Sequence, residues 1–211
     1  MAAQPAADSV ADEFRPRDVL KSERSFEGRV WDVRTDEVDL GHERVTRDYV
    51  AHPGAVAIIA LDDEDRVAMV RQYRHPVRHD MWEPPAGLLD VAGEPPVEAA
   101  KRELYEEADL TADEWHLLLD VFTSPGGSSE WIRVFLARGL HEVPEAERFE
   151  RDGEEAEMVR SWVPLDDAAA AVTDGRLMSP TTVSGILAAH LARERGWSSL
   201  REVGAPIPQR P

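Results

Sequence analysis

The chain has 211 residues, with 42 acidic and 24 basic side chains and a formal net charge of -18 at pH 7. This length fits one domain with an appendage and is sufficient for a hydrophobic core. The strong negative charge argues against nonspecific nucleic-acid binding, which requires basic patches to neutralise phosphates. The chain contains no cysteine, which excludes disulfides, thiolate zinc sites and thiol nucleophiles.

The sequence predicts no contact with a membrane. No apolar run approaches the roughly 18 residues that a membrane-spanning helix needs. The first residues, MAAQPAADSVADEF, are acidic and lack the basic start and apolar core of a signal peptide. We therefore expect a cytoplasmic protein.

Four regions are predicted along the chain. Residues 1–23 are rich in Ala, Pro and charge and predict a mobile tail. Residues 24–52 alternate apolar and polar side chains, which is typical of two or three antiparallel strands forming a small sheet. The main domain is predicted at 53–197, and a Pro-rich tail at 198–211.

Within the main domain, residues 54–61 (GAVAIIAL) form a nearly continuous apolar run that predicts a central strand covered on both faces. An acidic turn at 62–65 predicts a hairpin to a strand at 66–73, and a basic, aromatic loop follows at 74–82. Further strands are predicted at 115–123, 131–137 and 159–165, and helices at 166–172 and 181–195. A mixed sheet between helices gives an α/β/α sandwich.

The most informative stretch is 87–110, GLLDVAGEPPVEAAKRELYEEADL. Its second half predicts a helix on which Glu103, Glu106 and Glu107 share one face, because positions three and four apart are neighbours. Their mutual repulsion favours a divalent cation bound to carboxylate oxygens. A merely solvated acidic face is the alternative, but apolar residues on the opposite side and a Gly-rich loop before the helix argue against it.

This stretch resembles the Nudix hydrolase box, Gly-x5-Glu-x7-Arg-Glu-U-x-Glu-Glu-x-Gly-U, where U is a bulky aliphatic residue. The matching positions are Gly87, Glu94, Arg102, Glu103, Leu104, Glu106, Glu107 and Leu110. Two positions depart from the pattern. Six residues rather than five separate Gly87 from Glu94, and Asp109 replaces the final glycine. The resemblance implies a Nudix-type fold and a metal-dependent hydrolase.

The expected cofactor is Mg or Mn. Glu103 and Glu107 are the first candidates for metal ligands, with Glu106 bridging or orienting and Arg102 holding the glutamates in place. By resemblance to the family, the backbone carbonyl of Ala86 supplies another oxygen. We interpret Glu94 as a contact at the entry to the helix rather than as a ligand.

A general base is expected on the acidic loop at 150–157, where several carboxylates lie on a segment without apolar periodicity. The segment GEEAE resembles the loop that carries a catalytic glutamate in ADP-ribose pyrophosphatases. Glu155 is the first candidate, followed by Glu154 and then Glu157. A solvated acidic loop without a catalytic role remains the alternative.

The resemblance to ADP-ribose pyrophosphatases extends over most of residues 25–190. It rests on the N-terminal strands, on Gln72-Tyr73-Arg74, on Trp82-Glu83-x-Pro85-Ala86-Gly87, and on the Ser-Pro-Gly-Gly-Ser-x-Glu loop at 124–130. In that group the N-terminal sheet is exchanged across a homodimer, and both subunits build each site. The resemblance therefore implies a homodimer and a nucleoside diphosphate sugar as substrate.

Six further residues are candidates for substrate binding. Arg74 suits a phosphate or ribose oxygen, and Glu83 suits ribose hydroxyls, although an ion pair with Arg78 or Arg74 fits Glu83 equally well. Trp31 and Arg34 suit stacking on an adenine across the dimer, whereas simple packing is the alternative for an aromatic residue on an edge strand. The last two, Gly126 and Gly127, permit close approach of a substrate or serve only as turn formers.

The leading hypothesis is hydrolysis of ADP-ribose to AMP and ribose 5-phosphate. A second reading is hydrolysis of another nucleotide sugar, a dinucleotide or an oxidised nucleotide, since the box does not specify the group attached to the diphosphate. A third is a ligand-sensing protein without catalysis. Loss of a box glutamate would favour the third reading, and none is lost.

Overall fold

The computed structural model describes residues 10–151, 153 and 157–209, which form ten strands and three α-helices. The strands are β1 (Asp18–Phe26), β2 (Asp32–Asp39), β3 (Arg44–Ala51), β4 (Ala55–Ala60), β5 (Arg66–Arg74), β6 (His79–Glu83), β7 (Ala86–Leu88), β8 (Leu110–Phe122), β9 (Trp131–Glu142) and β10 (Val159–Pro164). The helices are α1 (Pro96–Ala108), α2 (Leu165–Thr173) and α3 (Pro180–Glu194). No helix of the described part of the chain is long and apolar enough to cross a membrane.

The central sheet has the order β7-β4-β9-β8, and β4 and β9 run parallel while the other pairs are antiparallel. Every residue of β4 is buried, as predicted for a strand covered on both faces. Alternate β4 side chains point to opposite sides. Val56, Ile58 and Ala60 pack with α1, and Ala57 and Ile59 pack with α3. The expected α/β/α sandwich is confirmed.

The N-terminal sheet is antiparallel with the order β1-β2-β3. Its first strand begins at Asp18, so the tail predicted for residues 1–23 extends too far. The error has a physical cause. All nine residues of β1 are exposed, and a strand that buries no face needs no apolar alternation in its sequence.

A third sheet has the order β10-β5-β6. The turn predicted at 62–65 is present, with the Asp62 N–H donating to the Arg66 carbonyl at 3.0 Å, but β4 and β5 then diverge into different sheets. The loop predicted at 74–82 is partly wrong. Its second half is β6, in which Asp80 pairs with Tyr73 and Trp82 with Arg71. The charged and aromatic side chains of this edge strand do not have the pattern that predicts a strand from sequence.

The C-terminal segment, predicted as a free tail, is bound to the domain. Arg201 exchanges two backbone hydrogen bonds with Leu117, of 2.9 and 3.0 Å. The guanidinium of Arg133, which is 2% exposed, donates to the carbonyls of Ala205 and Pro206 at 2.9 and 2.8 Å. A Pro-rich segment has few N–H groups but keeps its carbonyls, and here an arginine side chain satisfies two of them.

Candidate active site

Helix α1 carries Glu103, Glu106 and Glu107 of the box, and the local sequence determines where the helix begins and ends. It begins after Pro95 with Pro96 at its first position, where the missing N–H has no consequence. Ala100 and Leu104 are fully buried against the central sheet. The helix ends at Asp109, which adopts the left-handed conformation with φ of 53°. Asp109 therefore performs the geometric role of the glycine that the box has at this position.

Arg102 joins three glutamates of the box. Its guanidinium lies 3.1 Å from the Glu94 carboxylate, 2.6 Å from Glu103 and 3.2 Å from Glu106. The hydrogen bond to Glu94 is the main reason that the pKa of Arg102 is raised, and the negative charge of Glu103 contributes although partial burial opposes it. A permanently charged arginine thus holds these carboxylates together, and Glu94 lies at the helix entry as expected.

The two buried glutamates contact the edge formed by Ala86 and Gly87. Glu103 is 9% exposed and Glu107 is 6% exposed. The N–H of Ala86 donates to the Glu107 carboxylate at 2.9 Å. A Cβ on Gly87 would lie 2.0 Å from the Glu103 carboxylate. Only glycine permits this approach, which explains its place at the start of the box.

The extra residue between Gly87 and Glu94 is absorbed by the turn and not by the strand. β7 keeps a regular register with β4, in which Ala86 pairs with Ala57 and Gly87 with Val56. Further along, Gly93 has φ of 81°, and the Glu94 N–H donates to the Val91 carbonyl at 3.2 Å. The insertion therefore leaves the regular pairing of Ala86 and the contact between Glu94 and Arg102 in place.

Hard divalent cations prefer carboxylate and carbonyl oxygens. The cluster formed by the box glutamates and the Ala86 carbonyl supplies donors of this kind. In the described residues no group of three or more acidic, His or Cys side chains forms a ready metal site. Arg102 and the Ala86 amide instead occupy part of the coordination capacity of the carboxylates. The chemistry of the donors fits a hard divalent cation, with Arg102 as an internal counter-charge.

A cavity of about 380 Å³ lies beside this cluster. Its wall includes Ala86 and Gly87, which contact the buried glutamates, and Arg74 and Glu83 also line it. Arg74 and Glu83 form an ion pair with two contacts of 2.8 Å. The ion-pair alternative for Glu83 is therefore realised within the cavity.

Two predicted adenine-binding residues occupy different places. Trp31 lines the cavity and stacks on His52, with ring centroids 4.4 Å apart. Arg34 does not line it, and its guanidinium donates to the Ser22 hydroxyl at 2.8 Å. Within one chain the structure brings Trp31, but not Arg34, to the site.

Gly126 and Gly127 also lie apart from the cavity beside the glutamates. They line a second cavity of about 540 Å³, whose other walls include Tyr49 and Val38 of the N-terminal sheet. The Val50 N–H donates to the Gly127 carbonyl at 3.0 Å. These glycines lie in a turn of the main domain that contacts the N-terminal sheet.

The first candidates for the general base, Glu155 and Glu154, lie outside the described residues. Glu157 is exposed and lines a third cavity with Arg71 and Asp80. The preceding segment is attached to α1: Arg151 lies 2.8 Å from the Asp109 carboxylate and donates to the Glu106 carbonyl at 2.7 Å. Arg151, at the start of the acidic loop, therefore lies beside the C-terminal end of the box helix.

The sequence did not identify two residues of the cavity wall, His52 and Glu130. Glu130 ends the Ser-Pro-Gly-Gly-Ser-x-Glu loop, and its place in that motif was a signal for a functional role. His52 had no comparable signal. It lies between two strands, and its neighbours in the fold are distant in the sequence.

Comparisons with known proteins show which family this chain resembles. A family model described as the NUDIX domain matches residues 51–180. An ADP-ribose pyrophosphatase of Mycobacterium tuberculosis is 46% identical over 176 residues, covering 82% of this chain and 83% of that protein. A methanol dehydrogenase activator of Bacillus methanolicus is 35% identical over 168 residues, covering 79% of this chain and 89% of that protein.

A crystal structure of an ADP compounds hydrolase has a similar fold. Its TM-score is 0.72 at 21% sequence identity, and the match covers 88% of this chain and 99% of that chain. At this level of identity the likeness concerns the fold, including the sandwich on which the box helix lies.

Proposed function

Since the chain belongs to the Nudix family, we propose that it is a pyrophosphatase that hydrolyses ADP-ribose to AMP and ribose 5-phosphate. One observation carries the proposal: Arg102 holds Glu94, Glu103 and Glu106 together, and Glu107 accepts from the Ala86 N–H at the wall of a cavity that also contains Arg74 and Glu83. The relative in Mycobacterium tuberculosis that bears this name supports the choice of substrate.

The net charge of -18 repels a diphosphate. Binding of the substrate therefore requires cations that lie close to its phosphates. Arg74 is a cation in the cavity wall, and its planar guanidinium suits a phosphate or ribose oxygen. Glu83, only 7% exposed, orients that guanidinium through the ion pair and keeps lone pairs for ribose hydroxyls. The pair therefore binds and orients the substrate.

A divalent cation, Mg or Mn, is part of the proposal. Glu103 and Glu107 would hold it, together with Glu106 and the Ala86 carbonyl. When bound, it neutralises phosphoryl oxygens and lowers the pKa of the attacking water. Arg102 keeps the carboxylates in place, and the absence of a side chain on Gly87 lets the backbone approach them.

The proposed general base is Glu155, with Glu154 and Glu157 as the next candidates. Its role is to accept a proton from the water that attacks one phosphorus, while the other phosphate leaves. The attachment of Arg151 to Asp109 and to the Glu106 carbonyl supports this assignment, because it starts the acidic loop beside the box helix.

The proposed assembly is a cytoplasmic homodimer in which the N-terminal sheet reaches the second subunit. Exposed apolar side chains on the sheet and its connections support it, among them Val19, Leu20, Phe26 and Val30. In this assembly Trp31 and Arg34 stack on adenine, and Gly126 and Gly127 allow close approach of the substrate.

The test is a panel of ADP-ribose, diadenosine polyphosphates, NADH, GDP-mannose and oxidised nucleotides, each with and without Mg or Mn. Fast, metal-dependent formation of AMP from ADP-ribose is the expected result. Faster turnover of another compound would reject ADP-ribose while keeping the hydrolase, and no turnover with metal present would reject the hydrolase.

A further inference from the structure

His52 lies between β3 and β4, and its side chain is 6% exposed. Its Nδ1 accepts a hydrogen bond from the Gly54 N–H at 3.0 Å. Gly54 has φ of 103°, a conformation that side chains rarely adopt. The imidazole therefore fixes an unusual turn at the entry to the central strand.

The other ring nitrogen faces a carboxylate. Because Nδ1 is an acceptor, a neutral ring carries its proton on Nε2. Nε2 lies 3.3 Å from the Glu130 carboxylate, whose second oxygen accepts a hydrogen bond from the Thr123 hydroxyl. Each oxygen of Glu130 thus has one partner. Since a carboxylate has about four acceptor positions in all, positions remain for a further donor.

The face of the imidazole is also covered. Trp31 stacks on it with 28° between the ring planes. The backbone N–H of His52 donates to the Ser129 hydroxyl at 2.9 Å. His52 therefore joins the N-terminal arm, the start of β4 and the 124–130 loop, which are distant in the sequence, beside one cavity.

Burial lowers the pKa of His52 below its ordinary value of 6.5, although the charge of Glu130 acts in the opposite direction. At neutral pH the ring is therefore neutral. Only this form can accept from Gly54 and present an N–H to Glu130 at the same time, so the charge state agrees with both contacts.

We propose that His52 is a positioning residue that orients the Glu130 carboxylate toward a ribose hydroxyl of the substrate. Gly54 and Trp31 fix the ring, the ring fixes Glu130, and Glu130 accepts the hydrogen bond from the sugar. Glu83, the other carboxylate in the cavity wall, pairs with Arg74 through one of its oxygens, so the two carboxylates can accept from different hydroxyls of the sugar. The inference rests on the proposed function, since it takes the sugar of a nucleoside diphosphate sugar as the ligand.

The kinetic test uses four variants: His52→Gln, His52→Asn, Glu130→Gln and the double variant His52→Asn/Glu130→Gln. Gln has an amide donor at the distance of Nε2, whereas the shorter Asn has its amide at the distance of Nδ1 and no donor at the distance of Nε2. We expect His52→Asn to raise KM for ADP-ribose by about tenfold, as loss of a charge-assisted hydrogen bond does. The kcat should change by less than about threefold, since His52 does not touch the reacting atoms.

His52→Gln should have a KM for ADP-ribose close to that of the wild type. The double variant should have the KM of Glu130→Gln alone, since His52 acts through Glu130. Equal KM for both His52 variants, or additive effects in the double variant, would overturn the proposal. A fall in kcat with unchanged KM would also overturn it.

A second measurement does not depend on turnover. Nitrogen NMR of the histidine rings, assigned with His52→Asn, should show His52 protonated on Nε2 alone at neutral pH. A ring protonated on Nδ1 would overturn the positioning role whatever the substrate. Absence of ADP-ribose turnover in the wild type with this tautomer present would reject the proposed function and, with it, the ribose ligand.

Discussion

At the residue scale, the close approach of Gly87 to Glu103 restricts the size of the side chain at this position of the box. A Cβ at this position would meet the carboxylate at 2.0 Å, so in Gly87→Ala the carboxylate must move. We expect kcat for ADP-ribose to fall by about 10–100-fold, as when groups that orient metal ligands are changed. Steady-state kinetics over a range of metal concentrations measures this loss.

The matched control for this change is Gly204→Ala, because a Cβ there meets nothing within 4 Å. Its kcat should equal that of the wild type. Undiminished activity of Gly87→Ala would contradict the account of how backbone and carboxylate meet.

His52 also gives a prediction on pH. Its pKa is lowered in the folded state, so the unfolded state binds more protons as the pH falls through 6.5, and folding loses free energy. The free energy of unfolding of the wild type should therefore fall relative to His52→Gln on going from pH 8 to pH 5. Urea denaturation at several pH values measures the difference, and a constant difference would show that His52 does not resist protonation.

At the scale of elements, the C-terminal end of α1 binds Arg151 at the start of the acidic loop. Asp109 pairs with Arg151 at 2.8 Å, a contact that the glycine of the usual box cannot make. Asp109→Asn keeps a residue type that tolerates positive φ but removes the charge. We expect a loss of about 1–3 kcal/mol in the free energy of unfolding and faster tryptic cleavage after Arg148 and Arg151.

Asp113→Asn is the control, because that carboxylate is 71% exposed and pairs with the exposed His141. It should leave both stability and cleavage unchanged. Equal cleavage rates in the two variants would show that Asp109 does not hold the loop.

The elements that were predictable are those whose side chains reveal their surroundings. The apolar run of β4 and the amphipathic pattern of α1 follow from burial on two faces and on one face. β1 and β6 were not recognised as strands. β1 is exposed throughout and β6 is exposed at its first two residues, and the pairing of both strands depends on backbone hydrogen bonds that any sequence can make.

At the scale of the whole molecule, the box was predictable and the cavity was not. The box is local, so its spacing specifies which groups meet on one helix. The cavity wall joins residues such as Trp31, His52 and Glu130. His52 and Ser129, which hydrogen-bond, are 77 positions apart, and spacing in the sequence carries no information about such contacts.

The assembly gives a prediction at the same scale. The exposed apolar side chains of the N-terminal sheet predict a homodimer with twice the chain mass in sedimentation. Phe26 is 60% exposed, so Phe26→Asp should shift the protein toward the monomer and reduce turnover, with little change in the melting temperature. A wild-type protein that sediments as a monomer at micromolar concentration would reject the shared site.

The buried glutamates of α1 are expected to support hydrolysis of ADP-ribose. The most direct measurement compares AMP formation by the wild type, Glu107→Gln and Glu98→Gln at saturating metal. Glu98 lies on the same helix but is exposed and pairs with Lys101, so Glu98→Gln should match the wild type. Glu107→Gln should lose at least about 100-fold in kcat, and unchanged turnover of Glu107→Gln would contradict the account.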